Sequence, residues 1–442
     1  MNLIAKKLNK KIKNSNPNIL NMLSDLGLNL FFPKGILTQT AEAKKYAKKY
    51  DATIGIAKEK NKAMYLPSLM KYFNNLDINE ITPYAPSYGQ EELRKLWREH
   101  IYEKNTDLSK DTQISLPVVT NGITHGLSIV ADLFTNRGDT VLMPDKIWGN
   151  YRLTFITRCS AEFRHFPFFN KNNGFNLEDF ENEIKSVKSQ KNKLIVLLNF
   201  PNNPIGYSPT VSEANKIAEI LLKYADKNFN IIAVIDDAYF GLFFEDNVFK
   251  SSVFSLIAGK HENLLAIKLD AATKEDYVWG FCCGFITYST KNIGGADDAL
   301  NDLFEALEKK TAGCVRSVIS NCSNPAQSIM TKLLKDKDKY LLEKAEKYTI
   351  LKRRAEKVKE VLKNKKYSDA WEMYPFNSGY FMCIKLKNIN SEKYRLHLLH
   401  NYGVGVISPN DTDIRIAFSG VEEENIQELF DIMLDAYKTF KD

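Results

Sequence analysis

Five groups of residues in this 442-residue chain have types and spacings that could do chemistry. Gly122-Ile123-Thr124 follows an apolar run and opens a stretch of helical periodicity. Free backbone N–H groups, the helix dipole and a hydroxyl could hold a phosphate there; a glycine turn with Thr124 as a helix cap is the plainer reading. Asn199-Phe200-Pro201-Asn202-Asn203-Pro204-Ile205-Gly206 follows a second apolar run, and its prolines leave Asn203 with an oriented amide able to donate to an anionic oxygen. Asp236-Asp237-Ala238-Tyr239 closes a third run, where a buried acid needs a partner. A pyridine nitrogen kept protonated would be such a partner, with the tyrosine hydroxyl on a neighbouring phenolate; an N-cap or turn aspartate is the alternative. Lys274 ends Leu269-Asp270-Ala271-Ala272-Thr273-Lys274, with Gly280 and Gly284 behind it. Most lysines are merely solvated, but this one joins two strand-like runs. Arg415 lies inside Asp413-Ile414-Arg415-Ile416-Ala417-Phe418-Ser419. A planar guanidinium aimed inward would clamp a carboxylate, and a surface edge strand would equally explain it.

These groups need a frame that brings their loops together. Leu116 to Val119, Leu194 to Leu198, Ile231 to Ile235, Leu264 to Leu269 and Gly284 to Tyr288 read as strands. Helical stripes at Leu127, Val130, Ala131, Phe134 and at Ile217, Leu221, Tyr224 lie between them. The alternation predicts an α/β fold with a doubly wound, mostly parallel sheet, in which ligands bind beyond the carboxyl ends of the strands. After about Lys309 the pattern changes to long charged helices near Tyr340 to Lys363, an alternating strand at Tyr380 to Leu386 and a terminal helix from Val421. The expected organisation is a large domain at 65–320, with segments 1–64 and 321–442 forming a smaller α+β domain.

With 44% hydrophobic and 26% charged residues the chain reads as a globular protein. The formal charge of +7 comes mostly from lysine and is not arranged among aromatics as a nucleic-acid groove requires, so no nucleic acid is expected. The residues before Phe31 are too few for a helix-turn-helix domain, and the basic run Lys6 to Lys13 reads as a solvated tail rather than a membrane or anion-binding arm. Six cysteines without a recurring C-x-x-C pattern point to a reducing cytoplasm and to no metal site. Met1 to Asn14 lacks the apolar stretch of a signal peptide, and no membrane span is expected.

In their order the five groups resemble the class I/II aminotransferases of fold type I, the pyridoxal 5'-phosphate (PLP) enzymes like aspartate aminotransferase. The resemblance runs from Tyr84-Ala85-Pro86-Ser87-Tyr88-Gly89 through Trp148-Gly149-Asn150 to Arg415. It implies a seven-stranded type of sheet, with Lys274 as catalytic and Schiff-base lysine, Asp236 on the pyridine nitrogen, and Tyr239 and Asn203 on the ring oxygen. It further implies Gly122, Ile123, Thr124 and Thr273 around the phosphate and Trp148 stacked on the ring. Gly35, Trp148, Asn203 and Arg415 are implied for the substrate, with Arg415 on its α-carboxylate. Tyr84 would reach the phosphate of a neighbouring subunit, which implies a homodimer.

Two positions depart from the family. Cys282 stands where an arginine usually pairs with the cofactor phosphate, and Ala271 where many relatives have a phosphate-binding serine. Losing charge-assisted bonds of about 1.5 to 3 kcal/mol each lowers cofactor affinity. The leading expectation is transfer of an amino group between an α-amino acid and a 2-oxo acid. The alternatives are a PLP-dependent lyase or decarboxylase on the same scaffold, and a degenerate PLP or amino-acid binding protein. Arg316 reads as a structural ion-pair residue, with a second carboxylate clamp as the other possibility.

Overall fold

Continuous apolar runs such as Leu194 to Leu198 become central strands because both of their faces are covered, whereas alternating runs need only one covered face. The computed structural model describes residues 1–32, 35–293 and 297–441. Its main sheet has seven strands: β1 (Val118–Asn121), β2 (Thr140–Pro144), β3 (Glu162–Phe166), β4 (Lys193–Asn199), β5 (Asn230–Asp236), β6 (Leu264–Ala271) and β7 (Cys283–Ser289). Their spatial order is β1-β7-β6-β5-β4-β2-β3. Only β7 runs antiparallel, to both β1 and β6; the other pairings are parallel.

Helices α1 (Glu91–Lys104), α2 (Gly122–Phe134) and α3 (Val211–Ala225) belong to this layered unit. α2 follows β1 without a break and packs on β6 and β7. The expected strand at Leu116 starts two residues later, at Val118. Pro117 has no N–H to give a ladder, and the carbonyls of Leu116 and Pro117 accept instead from the Arg94 guanidinium at 3.3 and 2.7 Å.

Lys274 lies in a short turn of helix, α4 (Ala272–Glu275), between β6 and β7. Beyond it the long helix α5 (Lys337–Leu362) leads to an antiparallel sheet of β8 (Trp371–Met373), β9 (Met382–Leu386) and β10 (Asp413–Ile416), then to α6 (Ile426–Lys441). The strand expected from Tyr380 begins at Met382 because the backbone before it docks on the Asn-Pro turn. Gly206, at φ +70°, lies so close that a Cβ would come 2.0 Å from the Phe381 carbonyl oxygen. The terminal helix begins at Ile426 rather than Val421, after a 3-10 turn at Glu423–Asn425.

The N-terminal segment meets the C-terminal one directly. Tyr50–Asp51 pairs in parallel with Val404–Gly405, and the Gln39 amide both donates to and accepts from the Ser408 backbone, at 3.0 and 2.8 Å. Among the described residues no helix is long and apolar enough to cross a membrane.

Candidate active site

The carboxyl ends of β1, β4, β5 and β6 open onto a cavity of about 310 Å³. Gly122, Ile123, Thr124, Trp148, Asn203, Asp236, Tyr239, Thr273, Lys274 and Arg415 all line it, together with Ala271 and Cys282. Two expected residues do not. Gly35 is the N-cap of the helix Ile36–Tyr46, and the residues that reach the cavity from the N-terminal segment are Ile36, Thr40, Ile54 and Gly55. Tyr84 is 89% exposed, away from this chain's own cavity. Arg316 donates to the Ser320 hydroxyl at 2.6 Å, not to a carboxylate as an ion-pair residue would, and it does not line the cavity either.

At one end of the cavity the start of α2 presents its free N–H groups. Gly122 sits there at φ +72°, a conformation that suits glycine. β7 can close on it because residue 284 is also glycine: a Cβ there would lie 2.8 Å from the Gly122 backbone. Cys282 faces the same point, its Cα and Cβ about 3.7 to 3.8 Å from where a Gly122 Cβ would be. The Thr273 hydroxyl is buried without a hydrogen-bond partner.

At the other end the charged groups are tightly held. Asp236 accepts from the Tyr151 hydroxyl at 2.6 Å and from the Ala238 N–H at 3.0 Å. Burial nevertheless pushes its carboxyl up to about 6. Burial also drives the Tyr151 hydroxyl well above its ordinary value, so it stays protonated and donates. Arg415 donates to Asn203 Oδ1 at 3.0 Å and to the Thr53 carbonyl at 2.6 Å, while its Nε is buried without a partner. Burial lowers its pKa to about 10, which leaves it charged near neutrality. Because Arg415 donates to Asn203 Oδ1, that amide is fixed with its NH₂ end as the donor, facing the Tyr239 hydroxyl.

Between the two ends, the Lys274 ammonium is 5.0 Å from the centre of the Tyr239 ring. Burial lowers its pKa and makes a neutral, nucleophilic amine easier to reach. The Tyr380 hydroxyl donates to the Lys274 carbonyl at 3.0 Å.

Sequence reasoning missed Tyr151, Asn199, Gly55 and Phe381. Tyr151 lies three residues after Trp148, but its partner Asp236 is 85 residues away, so only topology pairs them. Asn199 heads the quoted Asn-Pro segment, yet its amide oxygen serves the turn itself, accepting from the Asn203 N–H at 2.8 Å.

The arrangement suits an elongated ligand with an anion at one end and a protonated ring nitrogen within reach of Asp236. The unpartnered Thr273 hydroxyl and Arg415 Nε are the donors such a ligand would satisfy. The residues present therefore fit pyridoxal phosphate, with a phosphate end poorer in charge than the rest.

The family model "Aminotransferase class I and II" matches residues 51–433. An aspartate aminotransferase of Sulfurisphaera tokodaii is 24% identical over 78% of this chain and 80% of its own. A solved aminotransferase of Anaerococcus prevotii superposes with a TM-score of 0.81 at 23% identity, over 95% of this chain and 99% of that one. The kynurenine aminotransferase of Pyrococcus horikoshii gives 0.79 at 16% identity, over 96% and 99%. These proteins are transferases, which favours transamination over the lyase and binding-protein readings. The chain belongs to the class I and II aminotransferases, PLP-dependent enzymes that move an amino group between an α-amino acid and a 2-oxo acid.

Proposed function

We propose that Lys274 is the residue that tethers pyridoxal phosphate and carries the proton in this aminotransferase, in a cavity completed by a second copy of the chain. The observation that carries the reading is the placement of Lys274 beside Asp236 and Tyr239 in one cavity with Arg415. When bound, the cofactor supplies an electron sink for the charge left on Cα after a proton is removed. Asp236, held by Tyr151 and the Ala238 N–H, keeps the ring nitrogen protonated by offering it a carboxylate. Asn203 and Tyr239 donate to the ring oxygen, and Trp148 covers the ring face. Arg415, whose Nε is left without a partner, would bind the α-carboxylate of the amino acid and so orient its Cα–H bond. Lys274 would tether the cofactor through its amine and, when that amine is free, would be the base that holds the Cα proton. The Gly122 to Thr124 N–H groups and the Thr124 and Thr273 hydroxyls would hold the phosphate, beside the Cys282 thiol.

Tyr84 supports the dimer. It is 89% exposed in a stretch that also exposes Tyr65, Met70, Phe73, Ile78 and Ile81, an apolar surface a second copy would cover. Six unpaired cysteines agree with a cytoplasmic setting.

The test is the amino-donor half-reaction. Parent protein with pyridoxal phosphate converts an amino acid to its 2-oxo acid in a single turnover, and Lys274→Ala loses this by about 10⁴-fold or more while keeping its fold. A variant that still turned over at the parent rate would remove Lys274 from the mechanism.

A further inference from the structure

Around the turn that bears Lys274 the chain buries an unusual concentration of charge, none of which lines the cavity. Lys268 pairs with Asp237 and lies 3.6 Å from Asp270. Lys104 meets Asp270 at 3.1 Å and Glu275 at 2.8 Å. Lys344 meets Glu275 at 3.1 Å and Asp276 at 2.9 Å. The His100 ring nitrogen is 3.3 Å from Glu275, the Tyr340 hydroxyl donates to Asp276 at 2.5 Å, and Ser252 donates to Asp237 at 2.7 Å. Lys268 and Asp270 are fully buried inside the central sheet. Burial opposes the charge of Glu275, but Lys104 and Lys344 outweigh it and hold that carboxyl well below the carboxylate range. Burial pushes the His100 pKa below its ordinary value.

Burying three lysines against four carboxylates is a poor way to gain stability, because desolvation cancels most of the attraction and apolar side chains would do as well. Their places in the chain suggest another use. Asp237 follows Asp236 directly; Asp270 precedes Lys274 by four residues; Glu275 and Asp276 follow it. The four acids are gripped from three elements: Asp270 and Glu275 by Lys104 on α1, Glu275 and Asp276 by Lys344 on α5 with Tyr340, and Asp237 by Lys268 on β6. A Lys274 that served as both tether and base would need its backbone fixed while its amine moved.

We propose that Lys104, Lys268 and Lys344 are positioning residues, which clamp the peptide around Lys274 to the strand end bearing Asp236 and whose charge balance is felt by the Lys274 nitrogen. The proposal rests on the role of Lys274 given above. On the cavity side Asp236 and Cys282 act on that nitrogen and the Tyr239 ring lies 5.0 Å away, with Tyr151 and Arg415 elsewhere in the same lining. Tyr277 lies beside the cluster, and Tyr380 packs on the Tyr239 ring at 5.3 Å while its hydroxyl donates to the Lys274 carbonyl.

The experiment uses full-length protein loaded with pyridoxal phosphate and follows the pH midpoint of its visible absorbance band, together with kcat and KM. Lys344→Met leaves excess negative charge and raises the midpoint by about half a pH unit, whereas Glu275→Gln leaves excess positive charge and lowers it by about as much. Both reduce kcat by roughly fivefold or more with KM nearly unchanged, as expected for a misplaced group that does not touch substrate. Lys344→Arg keeps the parent midpoint. Opposite shifts cannot come from general loosening. Shifts in one direction only, or an unmoved midpoint with just a lower melting temperature, would reduce the cluster to a structural element. Should either variant fail to fold, Tyr340→Phe removes a donor from Asp276 without removing a charge; a smaller upward shift supports the proposal, and none overturns it. A parent without a visible band overturns the cofactor reading itself, and this inference with it.

Discussion

The two ends of the cavity are built on different terms. Around Asp236 and Arg415 the side chains are charged, buried and held by short hydrogen bonds, Asp236 accepting from Tyr151 and Ala238 and Arg415 donating to Asn203 and Thr53. Around Gly122 the partners are backbone N–H groups, hydroxyls and the thiol of Cys282, and among the described lining residues no cation stands there. Side-chain charge costs most where it is buried, and the chain spends it where the reacting bond must be oriented. The anionic end relies on a helix start, which offers a partial charge without the burial of a full one.

The comparison breaks first at Asp236. Replacing it by Asn removes the ring-nitrogen partner and lowers kcat by on the order of 10³-fold. The same variant is more stable than the parent without cofactor. The folded state holds a proton on Asp236 up to about pH 6, whereas the unfolded chain releases it near 4. Parent stability therefore falls as pH rises between those values, by on the order of 3 kcal/mol in all. Thermal melts of both apo proteins from pH 4 to 8 check this: the curves should diverge upward from about pH 4, and parallel curves would mean that Asp236 is not perturbed.

Arg415→Lys comes next. It keeps a charge but loses the planar fork, and KM for the amino donor rises by roughly 10- to 100-fold with a smaller change in kcat. An unchanged KM would place the carboxylate elsewhere. Cys282→Arg sharpens the comparison from the other end. One or more charge-assisted bonds to phosphate tighten cofactor binding by about tenfold or more, read as the Kd for pyridoxal phosphate at fixed salt. An equal Kd would show that the parent has a cation there from another source, such as the second subunit. Tyr151→Phe has the smallest effect. It removes one bond to Asp236, raises that pKa further and reduces kcat by about three- to tenfold, mostly on the acid side, where more of the carboxylate is protonated.

Much of this was legible along the chain, because the groups that touch a ligand sit on turns directly after apolar runs. Asn203, Asp236 and Lys274 each follow a strand core whose type could be read from its unbroken hydrophobicity. Contacts across the fold were not legible. Tyr151 looks like any tyrosine until β5 brings Asp236 to it. Gly35 and Gly55 are equivalent by composition, and only the path of the N-terminal segment decides which reaches the cavity. Lys104 and Glu275 lie 171 residues apart, and a lysine-rich sequence hides a buried lysine among solvated ones. The start of β9 was misplaced for a related reason: Tyr380 and Phe381 have strand-like residue types but serve Lys274 and the cavity instead.

The most direct test is an absorbance titration of the purified protein with pyridoxal phosphate, run in parallel on Lys274→Ala. A saturable visible band in the parent that is absent from a folded Lys274→Ala protein is the predicted result. A band of equal strength in both, or none in the parent at saturating cofactor, would contradict the assignment of Lys274 and the mechanism built on it.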